Sequence, residues 1–283
     1  MTPGLQSPPM PELPEVEVLR RSLAPRLTGR RIASVTVRQR ALREAVPAAR
    51  LARELPGRRV EGLRRRGKYL LVDLERDRTL VVHLGMSGRL TVAPDSVSVE
   101  AHEHVSFALT EGGRLRYRDP RRFGLVLLLA TARLERDRHF ARLGLEPLDG
   151  ELTGERLAAG ARGRRGPVKA FLMDAGVLVG VGNIYACEAL HSAGIHPARS
   201  VARLSAARWE RLAVAVRATL ADAIEQGGTT LNDFTDGEGN AGYFQAALAA
   251  YGREGEPCRR CGRPIRRIVQ AGRSTFYCGG CQR

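Results

Sequence analysis

The sequence predicts an α+β protein of several domains: an N-terminal antiparallel β-sandwich or barrel with flanking helices, a helical middle, and a small cysteine-clamped tail. Three observations carry that prediction. Short Val- and Leu-rich runs separated by turn-forming residues fill the first half. Helix-periodic segments follow from 153 to 228. Four of the five cysteines fall after residue 257. At 283 residues and 43% hydrophobic content, the chain can bury two real cores and is too apolar to be disordered. No unbroken apolar run, 124–130 among them, comes near the roughly 18 residues of a membrane span. The opening MTPGLQSPPM lacks the basic start and apolar core of a secretory signal. A soluble intracellular protein with no membrane partner is expected.

Residues 14–27 (PEVEVLRRSLAPRL) predict a short helix. Pro14 suits its first turn, and Val16, Leu19, Leu23 and Leu27 fall near one face. After Gly29 the pattern turns to strands: Ile32–Val37, Tyr69–Leu74, Thr79–Leu84, Val105–Leu109, Arg114–Arg118 and Gly124–Ala130. Charged helix formers appear around 131–152 and a turn falls at Pro147–Gly150, which marks a domain boundary. The plainest helix is Ser205–Gln226. Trp209, Leu212, Val216, Leu220 and Ile224 recur there at core spacing, and Gly227–Gly228 stop it. The stretch DGEGNAGYFQ and a short apolar run lead to a Cys- and Arg-rich tail. The expected domains are 11–140, 150–250 and 251–283, with 1–10 outside the folded protein.

Cys258-x2-Cys261 and Cys278-x2-Cys281 are separated by 16 residues. Two CxxC knuckles so spaced suit four thiolates placed tetrahedrally around one zinc ion. Disulfide pairing is the alternative, which a reducing compartment disfavours. With four protein ligands and no open position, such a zinc is structural and supplies folding energy to a tail too small for its own core. Between the knuckles, RRIVQAGRSTFY reads as two strand-like runs around Gly272. That hairpin would carry Arg266, Arg267 and Arg273 outward, with Arg273 suited to a phosphate or simply solvated. Cys187, left over in an apolar helical run, is expected to be buried and inert.

Lys plus Arg outnumber Asp plus Glu by 46 to 30, a net charge of +16. The excess points to a polyanionic partner, nucleic acid before membrane surface, since no basic amphipathic helix stands out. Composition habit is the competing account, because arginine outnumbers lysine 44 to 2. The same bias singles out Lys68 and Lys169: an ammonium can lose its proton and act as acid, base or nucleophile, and a guanidinium in practice cannot. The segment VGVGNIY (179–185) leads into a helix, NIYACEALHSAG. Gly180 and Gly182 permit a tight turn, Asn183 reads as its N-cap, and a helix N-terminus favours phosphate.

Met10 directly precedes Pro-Glu-Leu-Pro-Glu-Val-Glu. If translation starts at Met10 and that methionine is removed, Pro11 becomes a free secondary amine. A terminal amine has a pKa near 8 or somewhat below, so a neutral fraction exists near pH 7. It can attack a sugar C1′ and form an iminium. Glu12 would be placed for proton transfer. As an internal amide, Pro11 has no usable lone pair and this chemistry is closed.

PELPEVE, RRRGKYL, HLGMSGRL, RDPRRFG, VGVGNIYACEAL, HSAGIHP, GYFQ, YGREGEPCRRCG and GRSTFYCGGCQ occur in this order between Pro11 and Gln282. The chain thereby resembles the bacterial formamidopyrimidine-DNA glycosylases. The related endonuclease VIII branch usually opens PEG rather than PEL, so the resemblance favours the oxidised-purine branch. It implies a β-sandwich, a helix-two-turns-helix domain, and a zinc hairpin holding one structural Zn2+. It also implies a bifunctional glycosylase and abasic-site lyase acting on 8-oxoguanine and formamidopyrimidines in duplex DNA. Position by position, Pro11 is similar to the nucleophile and Glu12 to the acid that opens the sugar. Lys68 resembles the proton donor for β-elimination, Arg273 the δ-elimination and phosphate-binding arginine, and Glu15 a supporting carboxylate. Met86, Arg121 and Phe123 resemble the triad that fills the hole left by a flipped base. His83, His102, Arg165, Asn183 and Tyr251 resemble DNA contacts, mainly to phosphates. Lys169 receives no clear role. The Asp233–Gln245 loop resembles a segment that closes over the everted base.

The ten residues before Pro11 depart from the family pattern, and a start codon placed too early is the expectation. Glu103 stands where Asp is common, and Ala175 and Asn232 where Gln and Arg are common. The fine substrate preference is affected, not the fold. Two other functions compete: a non-catalytic, zinc-stabilised DNA-binding protein, and the same fold acting on oxidised pyrimidines. A mere binder needs neither the Pro11 amine nor Glu12. A monomer in the bacterial cytoplasm, associated with the nucleoid, is expected.

Overall fold

The computed structural model describes residues 10–229 and 244–283. The leader before Met10, Asn232 and all but the last two residues of the 233–245 loop lie outside the described residues. The described chain forms two compact units: residues up to 141 with 227–229, and 142–226 with 244–283.

The first unit opens with α1 (Leu13–Leu27). Its stripe Val16, Leu19, Leu23 and Leu27 is buried, as the spacing predicts. Each leucine so buried contributes about 1.5–3 kcal/mol. β1 (Ile32–Val37), α2 (Ala48–Glu54), β2 (Val60–Arg66), β3 (Tyr69–Leu74), β4 (Arg78–His83), β5 (Arg89–Ala93), β6 (Glu103–Leu109), β7 (Arg114–Arg118) and β8 (Leu125–Leu129) follow. They make two four-stranded sheets of order β1-β6-β7-β5 and β2-β3-β4-β8. All pairings are antiparallel. Both sheets and α1 share one apolar core that includes Leu70, Val82, Phe107, Leu115 and Val126. The architecture is therefore a sandwich, not a barrel. A two-residue turn, Gly67–Lys68, joins β2 to β3, with Arg66 opposite Tyr69. Gly67 takes a φ of 55°, the left-handed conformation such turns require.

The second unit holds α3 (Gly154–Gly160), α4 (Val168–Leu172), α5 (Asn183–Ala193), α6 (Ala206–Glu225) and the hairpin β9 (Ile265–Gln270) and β10 (Arg273–Cys278). Trp209 on α6 meets Phe171 of α4 edge to face at 5.4 Å, a core role. Gly194 ends α5 at a φ of 69°. Cys187 is fully buried in α5, as expected. α5 packs against both α6 and β10, so the hairpin rests on the helical core. Among the described residues no helix is long and apolar enough to cross a membrane.

Candidate active site

The half-buried Pro11 immediately precedes the N-cap of α1, which is Glu12. Glu12 is 2% exposed, and its N–H donates to Glu15 Oε2 at 2.8 Å, one arm of a capping box. The other oxygen of Glu15, Oε1, accepts the N–H of Thr229 at 2.8 Å. Gly228 is close-packed there: a Cβ would lie 3.2 Å from Glu15 Oε1. Glu15 thus ties the start of α1 to the 227–229 segment. Lys68 is half-buried at the β2–β3 turn. Arg65 connects that turn to α1, since its Nε donates to Glu17 Oε2 at 3.3 Å and its Nη1 to the Gly67 carbonyl at 3.1 Å. Glu17 lies below the usual carboxylate range: burial opposes this, but Arg20, Arg65 and Arg21 prevail. No sequence signal marked Arg65, one arginine in a run of three.

His83 is buried, and its Nδ1 accepts the Gly85 N–H at 3.0 Å. The neutral ring therefore carries its proton on Nε2. Burial first, then the nearby Lys68 and Arg43 charges, push its pKa down to about 3. His83 presents no cation to a phosphate; it orders the loop that carries Met86. His102 is exposed with a φ of 66°. Phe123 is 47% exposed, and the Arg121 guanidinium lies 5.0 Å from its ring centre. Met86 is half-buried.

In the second unit, Asn183 is not the N-cap. Gly182 takes that position, and Asn183 is the first residue of α5. Its side chain is spent elsewhere: Oδ1 accepts Lys169 Nζ at 2.5 Å and Nδ2 donates to the Ser274 carbonyl at 3.0 Å. Lys169 Nζ also donates to Thr275 Oγ1 at 2.6 Å. Lys169 is thereby a buried tie between α4, α5 and β10, the strand that begins with the exposed Arg273. Lysine scarcity marked the residue, but only the fold shows its partners. Arg165 is exposed, and its carbonyl accepts Ser200 Oγ at 2.7 Å. Tyr251 is buried with its ring 5.1 Å from Phe276. Glu188, which the sequence did not suggest, accepts the N–H groups of Ala249, Ala250 and Tyr251 at 2.7–2.9 Å. Burial pushes its pKa up, and those donors pull against it.

The thiols of Cys258, Cys261, Cys278 and Cys281 all lie within 4.8 Å of one another. Sγ–Sγ separations are 3.9 Å for Cys258–Cys281 and 3.4 Å for Cys261–Cys278. A tetrahedron with zinc–sulfur bonds of about 2.3 Å has edges of about 3.8 Å, so the four residues fit the ion. Without a cation, burial and then its sulfur neighbours push Cys281 up to about 12; a bound cation reverses that preference and holds thiolates. His191 Nε2 lies 3.4 Å from Cys258 Sγ, and the Arg260 N–H donates to the same sulfur at 3.4 Å. Gln282 locks the second knuckle, accepting the Cys278 N–H at 2.7 Å and donating to the Ile195 carbonyl at 2.9 Å.

Three family models match consecutive parts of the chain. They are the formamidopyrimidine-DNA glycosylase N-terminal domain over 10–126, the H2TH domain of the same enzymes over 143–235, and the zinc finger found in FPG and IleRS over 255–283. A formamidopyrimidine-DNA glycosylase from Alkalilimnicola ehrlichii is 52% identical over 97% of this chain and all of its own length. One from Ruegeria pomeroyi is 47% identical with the same coverage. A Lactococcus lactis FPG mutant bound to Fapy-dG-containing DNA superposes with a TM-score of 0.89 at 32% identity, covering 96% of this chain and 99% of that one. The Fpg protein from Thermus thermophilus gives 0.86 at 40%, covering 96% and 98%. The chain belongs to the formamidopyrimidine-DNA glycosylase family of base excision repair enzymes, with that family's sandwich, H2TH domain and zinc finger.

Proposed function

We propose that this enzyme removes oxidised purines, 8-oxoguanine and formamidopyrimidines, from duplex DNA and cleaves the resulting abasic site by β,δ-elimination. One observation carries the reading: Pro11 stands directly before the buried N-cap Glu12, whose main chain Glu15 holds in place. The reading requires Met10 as initiator and Pro11 as the mature N-terminus. The neutral Pro11 nitrogen then attacks C1′, and the base leaves with the bonding electrons and takes up the proton that the nitrogen sheds. Glu12 protonates O4′ as the ring C1′–O4′ bond opens, and the nitrogen lone pair completes an iminium. Loss of a C2′ proton expels the 3′ phosphate, with Lys68 as proton donor. A second elimination expels the 5′ phosphate, assisted by Arg273. Zinc, held by the four cysteines, folds the hairpin that carries Arg273.

Met86, Arg121 and Phe123 refill the stack when the base flips out, a step that otherwise costs a few kcal/mol. His102, Arg165 and Asn183 contact the backbone, Asn183 through the second hydrogen of the amide whose first is held by the Ser274 carbonyl, and the buried His83 and Tyr251 complete the DNA-facing set. The enzyme works as a monomer in the bacterial cytoplasm, at the nucleoid. Borohydride trapping on an 8-oxoguanine:cytosine duplex, with protein produced from Met10, tests this reading. Mass spectrometry is expected to place the DNA adduct on Pro11. Folded, zinc-loaded protein that binds the duplex without forming an adduct would sink it in favour of a binding protein. Faster release from a thymine-glycol duplex would move the substrate to oxidised pyrimidines.

A further inference from the structure

Asp119 is fully buried, and no step above uses it. Its carboxylate collects three donors: Ser87 Oγ at 2.7 Å, the Tyr117 hydroxyl at 3.2 Å and the Gly124 N–H at 2.8 Å. Its main chain is engaged as well. The Asp119 N–H donates to the His102 carbonyl at 3.0 Å, and its carbonyl lies 2.7 Å from His104 Nε2 and accepts the Arg122 N–H at 3.1 Å. Ser87 Oγ in turn accepts the Arg121 N–H at 3.1 Å. One residue therefore joins three segments, 84–88, 102–104 and 119–124, which carry Met86, His102, Arg121 and Phe123. The fit has no slack: a Cβ on Gly85 would lie 2.5 Å from the Phe123 main chain, and one on Gly124 would lie 1.6 Å from the Tyr117 hydroxyl.

We infer that Asp119 is a positioning residue whose buried carboxylate locks the Met86 loop, the His102 turn and the Arg121–Phe123 loop into one preformed wedge. The inference rests on the glycosylase reading above. A wedge already ordered opens the base stack without a further ordering cost, so its loss is felt only where there is a stack to open.

The test compares wild type with D119A, D119N and S87A, all zinc-loaded and produced from Met10. Base release is measured on the 8-oxoguanine:cytosine duplex, and strand cleavage on a preformed abasic site in single-stranded DNA. D119A is expected to lose about 30-fold or more in the duplex assay and to stay within about threefold in the single strand. A 2-aminopurine beside the lesion brightens as wild type unstacks it and stays dim with D119A. Asn can keep its oxygen toward Gly124 and turn its amide toward Ser87 Oγ, so D119N recovers most of the loss. S87A, which removes the Ser87 hydroxyl from both the Asp119 carboxylate and the Arg121 N–H while leaving the other Asp119 contacts in place, is expected to lose about five- to tenfold on the duplex alone, and it carries the test should D119A not fold. Equal losses in both assays from folded variants, or full duplex activity with normal unstacking, would overturn the inference alone. A wild type with neither activity nor a trapped complex would overturn the reading beneath it, and the inference with it.

Discussion

Glu15 shows how much can depend on two lone pairs. Each of its oxygens accepts one main-chain N–H at 2.8 Å, from Glu12 and from Thr229. Gln at this position offers one acceptor and one donor, so one N–H is left facing an amide. A buried unpaired N–H costs about 1–3 kcal/mol. E15Q is expected to lower the melting temperature by several degrees and to slow borohydride trapping about tenfold, because Glu12 is no longer held. An unchanged trapping rate would refute that role. His83 makes a second, separable claim. Its folded pKa of about 3 lies below the usual 6.5. Between those values the unfolded chain binds a proton that the folded chain refuses. The stability held in neutral His83 is therefore full above pH 6.5 and lost as pH falls toward 3, at up to about 1.4 kcal/mol per pH unit. H83N keeps an acceptor for the Gly85 N–H and does not titrate. Chemical denaturation from pH 6.5 to 5, above the range of ordinary carboxylates, is expected to give H83N a flatter slope than wild type. Parallel slopes would show that the imidazole does not carry the effect.

At the scale of elements, the β9–β10 hairpin depends on what surrounds the metal as well as on its ligands. Cys258 Sγ accepts the Arg260 N–H and lies 3.4 Å from His191 Nε2 on α5; a zinc-bound thiolate only accepts, so with the ion held Nε2 faces it as an N–H donor. Such donors hold a thiolate in place and drain charge from it, and losing one typically costs tenfold or more in affinity. H191F fills the ring volume and deletes the donor. Zinc transfer to a chromogenic chelator is expected to be about tenfold faster in H191F, with the hairpin otherwise intact; an unchanged rate would make the contact incidental. Elements of this kind were unevenly legible in the sequence. β1, β3 and β7 have the expected bounds, because each is a short apolar or alternating run. β2 (VEGLRRR) was hidden by its charges and Gly62, β5 by its brevity after a glycine loop, and α2 by having a single buried residue, Leu51. The zinc ligands were legible because CxxC spacing is local chemistry. Arg65, Asp119, Glu188 and the partners of Lys169 were not, because each is defined by groups distant in sequence or by main-chain donors that no side-chain pattern records. The Asn183 cap failed for the same reason: its amide is taken by Lys169 and Ser274, which the local segment does not contain.

For the whole molecule, a net charge of +16 matters only through where it is left uncompensated. Much of the acidic complement of the first unit is already matched: Asp73 by Arg64, Glu75 by Arg31 and Arg59, Glu54 by Arg78 and Arg50, and Glu103 by Arg116 and Arg38. Those pairs are local and set no long-range field. Among the described residues no carboxylate forms an ion pair with Arg121, Arg165 or Arg273, and all three are exposed. Three of the uncompensated arginines are thus residues that the proposed function assigns to DNA. Each phosphate neutralised releases condensed counterions and contributes about −0.9 to the slope of log Kobs against log salt. Contacts to about five phosphates give a slope near −4.5. Binding to an abasic-analogue duplex between 50 and 300 mM salt is expected to show a slope of about −4 or steeper, nearly the same for undamaged duplex, since the lesion adds base contacts and not phosphates. R165A should make the slope shallower by about one, in both duplexes alike. A flat dependence would mean that the basic excess is compositional and that the DNA footprint is misplaced. A slope that steepens only with damage would mean that backbone contacts form after the base is flipped rather than before.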